Sequence, residues 1–313
     1  MGLWIGDRGI RDKRNEPIPY PLSPLPSNAS PHVLRNPSHR SWAYLRLARF
    51  NSRPGHADQL HLDLWWRGLN VAQDAGTYLY NAPPPWDNAL MSAEVHNTLT
   101  VNDRDQMMRL GRFLYLDWAQ AELIAHEQAE DSAWQRLIAR HNGYHNLGVT
   151  HQRCVTAWQN GQWTIEDRLI PLNPLRLNPE ASFAISLHWL LPDWPWDIEI
   201  PMPGRQLTIH LHSPHGRISL LISGSAELPS SPSLIPNALS PMVGESNTIT
   251  TAPLTYHLSR AGALLHGSGP VSPTWGWVSP TYGVKIPALS LRVFQRGAFP
   301  LTFTSLFSFP EQA

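Results

Sequence analysis

Histidines and carboxylates are concentrated between residues 53 and 97 of the 313-residue chain. Residues 53–63 read RPGHADQLHLD, and Asp74 and His96 follow within the same stretch. Imidazole nitrogens and carboxylate oxygens are the ligands that a zinc-like ion binds at about 2.0–2.2 Å. The residue types and their spacing therefore predict a candidate metal site in this part of the chain.

Strands are the elements expected to position these side chains. In a strand, alternate residues share a face, so His56 and Asp58 are predicted to lie on one side. Asp74 is predicted to close the next strand, and His96 to lie just before another. Neighbouring strands are about 4.8 Å apart, so one ion can be bound from two of them. A second interpretation stays open, in which His56, His61 and His96 are hydrogen-bonded residues of a half-buried sheet.

The rest of the chain is rich in short strand signals separated by turn-forming residues such as Asn160-Gly161. Many short strands at regular spacing are typical of an antiparallel sandwich and not of alternating strands and helices. Residues 118–140 have a helical composition, but we predict a pair of strands there, because tertiary context overrides propensity. The other predicted strands cover residues 42–50, 61–67, 71–74, 97–101, 149–157, 162–169, 184–191, 206–212, 217–223, 255–259, 289–295 and 301–307.

Composition also divides the chain and excludes several classes of protein. Residues 1–30 are rich in proline and predict a linker or arm, followed by one β-sandwich domain over residues 31–313; residues 225–254 predict a long loop. Lys+Arg and Asp+Glu are 24 each, which gives no electrostatic reason to expect a nucleic-acid partner. The single cysteine, Cys154, excludes an intrachain disulfide and a cysteine-based zinc site. No apolar run approaches the roughly 18 residues of a membrane span, and the start has no signal-peptide pattern, so no compartment is predicted.

Three motifs in this order resemble the signature of the heparinase II/III-like family: Gly-His-Ala-Asp-Gln-Leu at 55–60, Asp-Ala-Gly-Thr-Tyr at 74–78 and His-Asn-Thr-Leu at 96–99. Weaker similarity is found at residues 141–144, 151–153 and 166–168. The resemblance implies an all-β, antiparallel super-sandwich of the kind that forms the C-terminal domain of these lyases. It also implies a lyase that cleaves uronate-containing polysaccharides by β-elimination. Relatives are usually periplasmic or secreted.

The resemblance also assigns roles to single residues. By position, His56, Asp74 and His96 match the family's metal ligands, and one divalent ion, zinc, is implied in a structural role. Candidate contacts to an acidic polysaccharide are Arg53, Asp58 and Tyr144. Arg53 is proposed because a guanidinium matches a carboxylate in a bidentate way. Tyr144 is expected either to stack on a sugar ring or to pack within a hairpin turn.

Two departures from the family pattern affect the functional prediction. Pro54 stands where the family commonly has a second histidine that faces the sugar, and proline has no group that titrates. The (α/α) toroid that precedes the sandwich in relatives, and supplies catalytic groups, is expected to be absent, so no catalytic residue is assigned. Three hypotheses remain: a truncated or split lyase whose toroid comes from a separate chain, an inactive carbohydrate-binding module, and a structural β domain without metal.

Overall fold

The structure, a computed structural model, describes residues 32–173, 182–200, 204–224, 252–298 and 301–310. These residues fall in one unit, Pro31–Ala313. Over the described ranges the backbone forms 21 strands and four short 3-10 helices, and it contains no α-helix. Within these ranges no helix is long and apolar enough to cross a membrane. The predicted arm at residues 1–30, and the predicted loop apart from residues 252–254, lie outside the described residues.

The strands are numbered in chain order. The first eleven are β1 His32–Asn36, β2 Ser41–Leu45, β3 Leu62–Trp66, β4 Leu69–Ala72, β5 Leu99–Val101, β6 Met108–Gly111, β7 Leu114–Leu116, β8 Ala121–Gln128, β9 Trp134–His141, β10 Val149–Trp158 and β11 Trp163–Pro171. The other ten are β12 Phe183–Leu191, β13 Trp196–Glu199, β14 Gln206–Ser213, β15 Gly216–Gly224, β16 Thr255–Arg260, β17 Ala263–Gly267, β18 Trp277–Thr281, β19 Val284–Pro287, β20 Leu289–Gly297 and β21 Leu301–Ser308. The 3-10 helices are Pro37–His39, Ala89–Met91, Ala93–Val95 and His145–Leu147.

The all-β prediction is confirmed, and each strand predicted from the sequence overlaps a strand of the structure. The ambiguous segment, residues 118–140, contains β8 and most of β9, as predicted. The sequence pattern missed mainly short strands, among them β6, β7, β18 and β19. These four form two hairpins outside the large sheets, so little burial enforces an alternating pattern in them.

The strands form three large antiparallel sheets and the two hairpins. The largest sheet has eight strands in the order β13-β14-β15-β21-β11-β10-β9-β8. A five-stranded sheet has the order β17-β16-β20-β12-β5, and a four-stranded sheet has the order β1-β2-β3-β4. The hairpins are β6-β7 and β18-β19. Within the described residues, all pairs between these strands are antiparallel.

One apolar core lies between the sheets. Every second residue of β21 is buried, and β11 shows the same alternation over most of its length, as expected for strands with one face inward. Trp189 of the five-stranded sheet contacts Phe307 of the eight-stranded sheet, with ring centroids 5.0 Å apart. The Trp189 indole also donates a hydrogen bond to Ser305 Oγ at 3.0 Å. Trp163 likewise donates to Ser41 Oγ of the four-stranded sheet at 3.0 Å. Buried side chains of all three large sheets thus form one contiguous cluster.

Leu291 and Leu265 provide a matched test of this core. Leu291 in β20 is fully buried, whereas Leu265 in β17 is 40% exposed. Leu291→Ala is expected to lower the free energy of unfolding by about 2–5 kcal/mol, because it removes buried surface and leaves a cavity. Leu265→Ala is expected to change it by less than about 0.5 kcal/mol. Urea denaturation of both variants checks this, and equal effects would contradict the described core.

Candidate metal centre

Three loops, and not strand faces, carry the candidate metal-binding residues. His56 lies in the connection between β2 and β3, and β3 begins only at Leu62. The alternation expected to place His56 beside Asp58 on a strand is therefore wrong. Pro54, which has no backbone N–H to donate, and the neighbouring glycine are consistent with a loop at this point. Asp74 follows the end of β4, and His96 follows the 3-10 helix Ala93–Val95.

The structure brings the three predicted ligands together around His96. His56 Nδ1 lies 3.2 Å from His96 Nε2, and His56 Nε2 lies 3.0 Å from Thr77 Oγ1. On the other side of the ring, His96 Nδ1 lies 3.9 Å from Asp74 Oδ1. The His96 side chain is fully buried. The two nitrogens of His96 therefore face different partners, His56 on one side and Asp74 on the other.

The donor atoms around His96 fit a metal ion. Two sets of three ligand atoms lie within 4.8 Å of one another, one in His56, Asp58 and His96, the other in His61, Asp74 and His96. Two nitrogens bound to one tetrahedral zinc ion are about 3.3 Å apart, close to the separation of His56 and His96. In addition, His96 Nδ1 is buried without a hydrogen-bond partner. Buried polar atoms of this kind are costly unless they are bound, which favours an ion here.

His61 also lies at this centre, and the nitrogen that carries its proton determines whether it can bind a metal. Its Nδ1 accepts a hydrogen bond from the backbone N–H of Asn97 at 2.9 Å, so the neutral ring carries its proton on Nε2. That nitrogen lies 3.6 Å from Asp74 Oδ2 and 3.8 Å from Asp63 Oδ1. A protonated nitrogen has no lone pair for a metal. His61 therefore orients the Asp74 carboxylate and is not itself a ligand.

The protonation states at the centre are those of metal ligands. Burial lowers the pKa of His96 to about 4 and outweighs the opposing effect of Asp74. Burial raises the pKa of Asp74, but the imidazoles of His61 and His96 outweigh it and lower the pKa overall. The backbone N–H of Gly76 also donates to Asp74 Oδ1 at 2.6 Å. At neutral pH the site therefore offers a neutral imidazole and an ionised carboxylate, the forms that bind a metal.

Asn97 joins the loops of the centre to the sheets. Its Nδ2 donates to the carbonyl oxygens of Leu62 at 2.9 Å and Gln73 at 3.0 Å. Its Oδ1 accepts a hydrogen bond from the backbone N–H of Leu190 at 2.6 Å. One buried amide thus connects β3, the end of β4 and β12. This gives a physical reason for asparagine in the His-Asn-Thr motif, since no other side chain of this size both donates twice and accepts.

A buried ion pair holds the same loops from the eight-stranded sheet. Arg153 and Asp167 face each other on β10 and β11, and both side chains are fully buried. The guanidinium donates twice to the carboxylate, from Nε at 2.7 Å and from Nη2 at 2.9 Å. Its Nη1 donates to the carbonyl oxygens of Leu60 at 2.6 Å and Asn97 at 2.5 Å. Arg153 therefore fixes the residues adjacent to His61 and His96.

Two buried histidines extend this network. His151 donates to Asp167 Oδ1 at 2.6 Å through Nε2, and its Nδ1 accepts from His141 Nε2 at 3.2 Å. The Nδ1 of His141 accepts the backbone N–H of Gly143 at 3.0 Å. Burial holds the pKa of His141 well below its ordinary value. All four ring nitrogens of His141 and His151 form hydrogen bonds, so these two histidines have a structural role. The weaker motifs at residues 141–144, 151–153 and 166–168 therefore belong to the scaffold.

The predicted polysaccharide contacts lie in different environments. Arg53 is exposed on the loop that carries His56. Asp58 is buried, and its Oδ1 lies 2.7 Å from Arg46 Nε. Tyr144 is buried, and its hydroxyl donates to the Leu99 carbonyl oxygen at 3.0 Å, which matches the packed alternative and leaves no ring face for a sugar. Arg53 is therefore the predicted contact that is open to a ligand.

Residues 32–295 match the model of the family described as heparinase II/III-like, C-terminal. The match covers most of the chain, so the chain belongs to this family. A search of curated proteins finds no match.

Solved structures share the fold at low sequence identity. A heparinase III, the BT4657 gene product, is 13% identical with a TM-score of 0.55, over 85% of this chain and 32% of its own. The heparan sulfate lyase HepC from Pedobacter heparinus is 16% identical with a TM-score of 0.53, over 87% of this chain and 34% of its own. The chain thus spans about one third of the length of these enzymes. These comparisons show that the sandwich fold is shared with these enzymes.

Arg153→Met is expected to lower the free energy of unfolding by about 3–5 kcal/mol, because Asp167 then stays buried without its partner. Arg168→Met is the matched control: Arg168 lies one residue beyond Asp167 and is 38% exposed, with its carboxylate partner Glu166 also on the surface. It is expected to cost less than about 1 kcal/mol. Chemical denaturation measures both values, and similar losses would show that the buried pair has no special role.

Proposed function

We propose that this chain is the β-sandwich domain of a polysaccharide lyase that cleaves uronate-containing polysaccharides by β-elimination. The observation that carries the proposal is the buried His96 ring, which has His56 beside one nitrogen and Asp74 beside the other, within the region that matches the family. The names of the solved relatives, which include a heparan sulfate lyase, favour an acidic polysaccharide as substrate. The chain's neutral overall charge is compatible with a locally basic cleft.

The proposed ion is zinc, or a similar divalent metal, with a structural role. His56 and His96 would hold it through nitrogen and Asp74 through oxygen, the ligand types that zinc prefers. Binding of one ion by all three requires the His96 ring to turn, since its two nitrogens face His56 and Asp74 separately. The ion would join the loop after β2, the residue after β4 and the turn before β5, three segments with few ladder hydrogen bonds of their own. His61 and Asn97 would then orient the ligands from behind.

In β-elimination a base removes the proton on C5 of the uronate and an acid protonates the leaving oxygen. Positive charge or hydrogen-bond donors must stabilise the carboxylate, on which negative charge develops. Arg53 is the residue of this chain proposed for that last task, because it is exposed and its guanidinium matches a carboxylate. The base and the acid are proposed to come from a toroid outside the matched third of the relatives.

An apolar surface near the centre supports such a toroid partner. Four aliphatic side chains of the β6-β7 hairpin are 44–57% exposed, whereas Tyr115 between two of them is buried. Tyr115 packs in one cluster with Ala57, the neighbour of His56. A group of exposed apolar side chains on one hairpin is a feature of interaction sites. We propose that the toroid, on a separate chain, covers this face, formed by Met108, Leu110, Leu114 and Leu116.

One observation favours a second candidate function, an inactive carbohydrate-binding module. Pro54 is buried and has no polar side-chain group at the position where the family commonly has a sugar-facing histidine. Such a module would bind the polysaccharide without cleaving it. Detection of the unsaturated products of elimination separates the two functions.

The metal proposal predicts the metal content of two variants. The purified protein is expected to contain one divalent ion per chain. His96→Ala is expected to weaken the affinity for the metal by at least about tenfold, since loss of a residue that only orients a metal ligand already weakens it by that factor. His266→Ala, at an exposed position, is the control and is expected to retain the ion. Elemental analysis and competition with a chelator measure this. No stoichiometric metal in any of the three proteins would remove the assignment.

The lyase proposal predicts an activity that depends on the toroid. The sandwich domain by itself is expected to show little or no turnover of heparan sulfate or alginate, because the base and the acid are proposed to belong to the toroid. Co-expression with a toroid-encoding chain from the same genome is expected to release unsaturated uronate ends, which absorb in the ultraviolet. HepC from Pedobacter heparinus is the positive control for heparan sulfate. Products from the chain alone would refute the need for a partner, and products in neither case would refute the lyase function.

A further inference from the structure

A lysine enclosed by aromatic rings lies beside the candidate metal centre. Lys285 Nζ of β19 is 3.2 Å from the ring centroid of Trp277 and 4.1 Å from that of Trp86. The Tyr78 ring is 5.5 Å away. Tyr78 contacts Trp86 edge to face, with centroids 5.3 Å apart. The ammonium therefore lies against three aromatic faces.

Three further rings extend this group onto the surface. The Tyr80 ring lies 5.1 Å from Phe113 and 5.2 Å from Tyr282. These three side chains are 41%, 48% and 54% exposed. A contiguous group of exposed aromatic rings is a feature of binding sites. Together with Lys285 they define what is called here the Lys285 surface: Tyr78, Tyr80, Trp86, Phe113, Trp277, Tyr282 and Lys285.

Backbone contacts fix the Lys285 surface to the metal centre. The backbone N–H of Gly283 donates to the Tyr78 carbonyl oxygen at 2.8 Å, and Ser279 Oγ donates to the Thr77 carbonyl oxygen at 2.8 Å. Gly76 approaches Ser279 so closely that a Cβ there would lie 2.3 Å from its carbonyl oxygen. Thr77 in turn contacts His56. A ligand on this surface would therefore lie next to the candidate centre.

The charge of the Lys285 surface is positive. None of the ion pairs within the described residues includes Lys285. Nearby, Arg109 and Arg112 share one carboxylate, that of Asp87, at 3.6 and 2.7 Å. Aromatic faces attract an ammonium but do not neutralise its charge. The surface thus has a cation without a counter-ion next to exposed rings.

From this geometry we propose that the Lys285 surface is a binding subsite for one anionic sugar residue of the polysaccharide. Tyr80, Phe113 and Tyr282 pack against the apolar faces of the sugar ring, and the Lys285 ammonium binds its carboxylate or sulfate group. The proposal rests on the substrate class of the proposed function. It adds a contact, remote from Arg53 in sequence, that selects charged over neutral sugars.

Lys285 can serve this role because it is only half-buried. An ammonium has three N–H donors, and ring faces cannot direct all of them, so a donor stays available to a ligand on the solvent side. Partial burial also lowers the pKa of Lys285. An anion bound there would offset this cost of burial. The rings hold the ammonium in place before the ligand arrives, which reduces the entropy lost on binding.

The test is a calorimetric titration with a heparan sulfate oligosaccharide of defined length, and with the same oligosaccharide after desulfation and carboxyl reduction. Lys285→Met keeps the apolar stem and is expected to weaken binding of the charged ligand about 10- to 100-fold, as for loss of a charged hydrogen bond. Lys285→Arg keeps the charge, so it is expected to bind the charged ligand more tightly than Lys285→Met does. The neutral ligand is expected to bind Lys285→Met and wild type alike.

Two further variants separate binding from stability. Tyr282→Ser changes an exposed side chain, so it is expected to weaken both ligands without a change in melting temperature. Arg217→Met removes an exposed charge on β15 and is expected to leave binding unchanged. No binding by the wild type, or equal binding by Lys285→Met and Arg217→Met, would overturn the subsite and leave Lys285 as a packing residue of the hairpin.

The same variants distinguish this inference from the lyase proposal. Binding that depends on Lys285 without unsaturated products from the co-expressed chains would support the subsite and refute the lyase function. Unsaturated products formed equally well by Lys285→Met, over a range of substrate concentrations, would support the lyase and refute the subsite.

Discussion

A guanidinium that is fully buried needs a carboxylate to neutralise its charge and acceptors for its N–H groups. The interior of this molecule is arranged to supply both. Arg153 donates to the Asp167 carboxylate and to two backbone carbonyl oxygens, those of Leu60 and Asn97. Burial raises the pKa of Asp167, but Arg153 outweighs this and lowers it to about 2. Because the two carbonyls belong to loops without regular pairing, the charge specifies where those loops lie. A well-packed apolar pair in its place would give similar stability but would direct no loop.

The positions of the candidate metal centre and of the Lys285 surface follow from that fixed frame. Asn97 is held through its backbone by Arg153 and His61, and its side chain then positions the start of β3 and the segment after β4. The residues after Asp74 in turn carry the hairpin that presents Lys285. Polar networks of this kind are costly when incomplete, so each member restricts the next. The buried hydrogen bonds of Arg153 and Asn97 therefore determine where the surface residues, including Lys285, are placed.

Sequence patterns predicted the large strands but not the details of the centre. In β11 and β21 burial enforces alternation, so the strands are visible in the sequence. The loop around His56 has no regular pattern of buried residues, so the prediction that alternate residues share a face was wrong there. The role of His61 depends on the backbone amide of Asn97, which no side-chain pattern reveals. The fold of the loop brings Asp58 next to Arg46, and no pattern in the sequence predicted this ion pair. The candidate centre was predicted from motifs shared with the family and not from periodicity.

The position of β21 within the eight-stranded sheet has a consequence for the folding rate. This strand lies between β11 and β15, so Phe307 pairs with Trp163 on one side and Leu220 on the other. Each half of the sheet pairs strands that are consecutive in sequence, but the two halves cannot join until β21 reaches both of them. Contacts between residues so far apart in sequence make folding slow. Until then β11 and β15 expose open strand edges, which are templates for aggregation. Assistance by a chaperone during synthesis would therefore affect the yield of this protein more than that of a sheet built from successive hairpins.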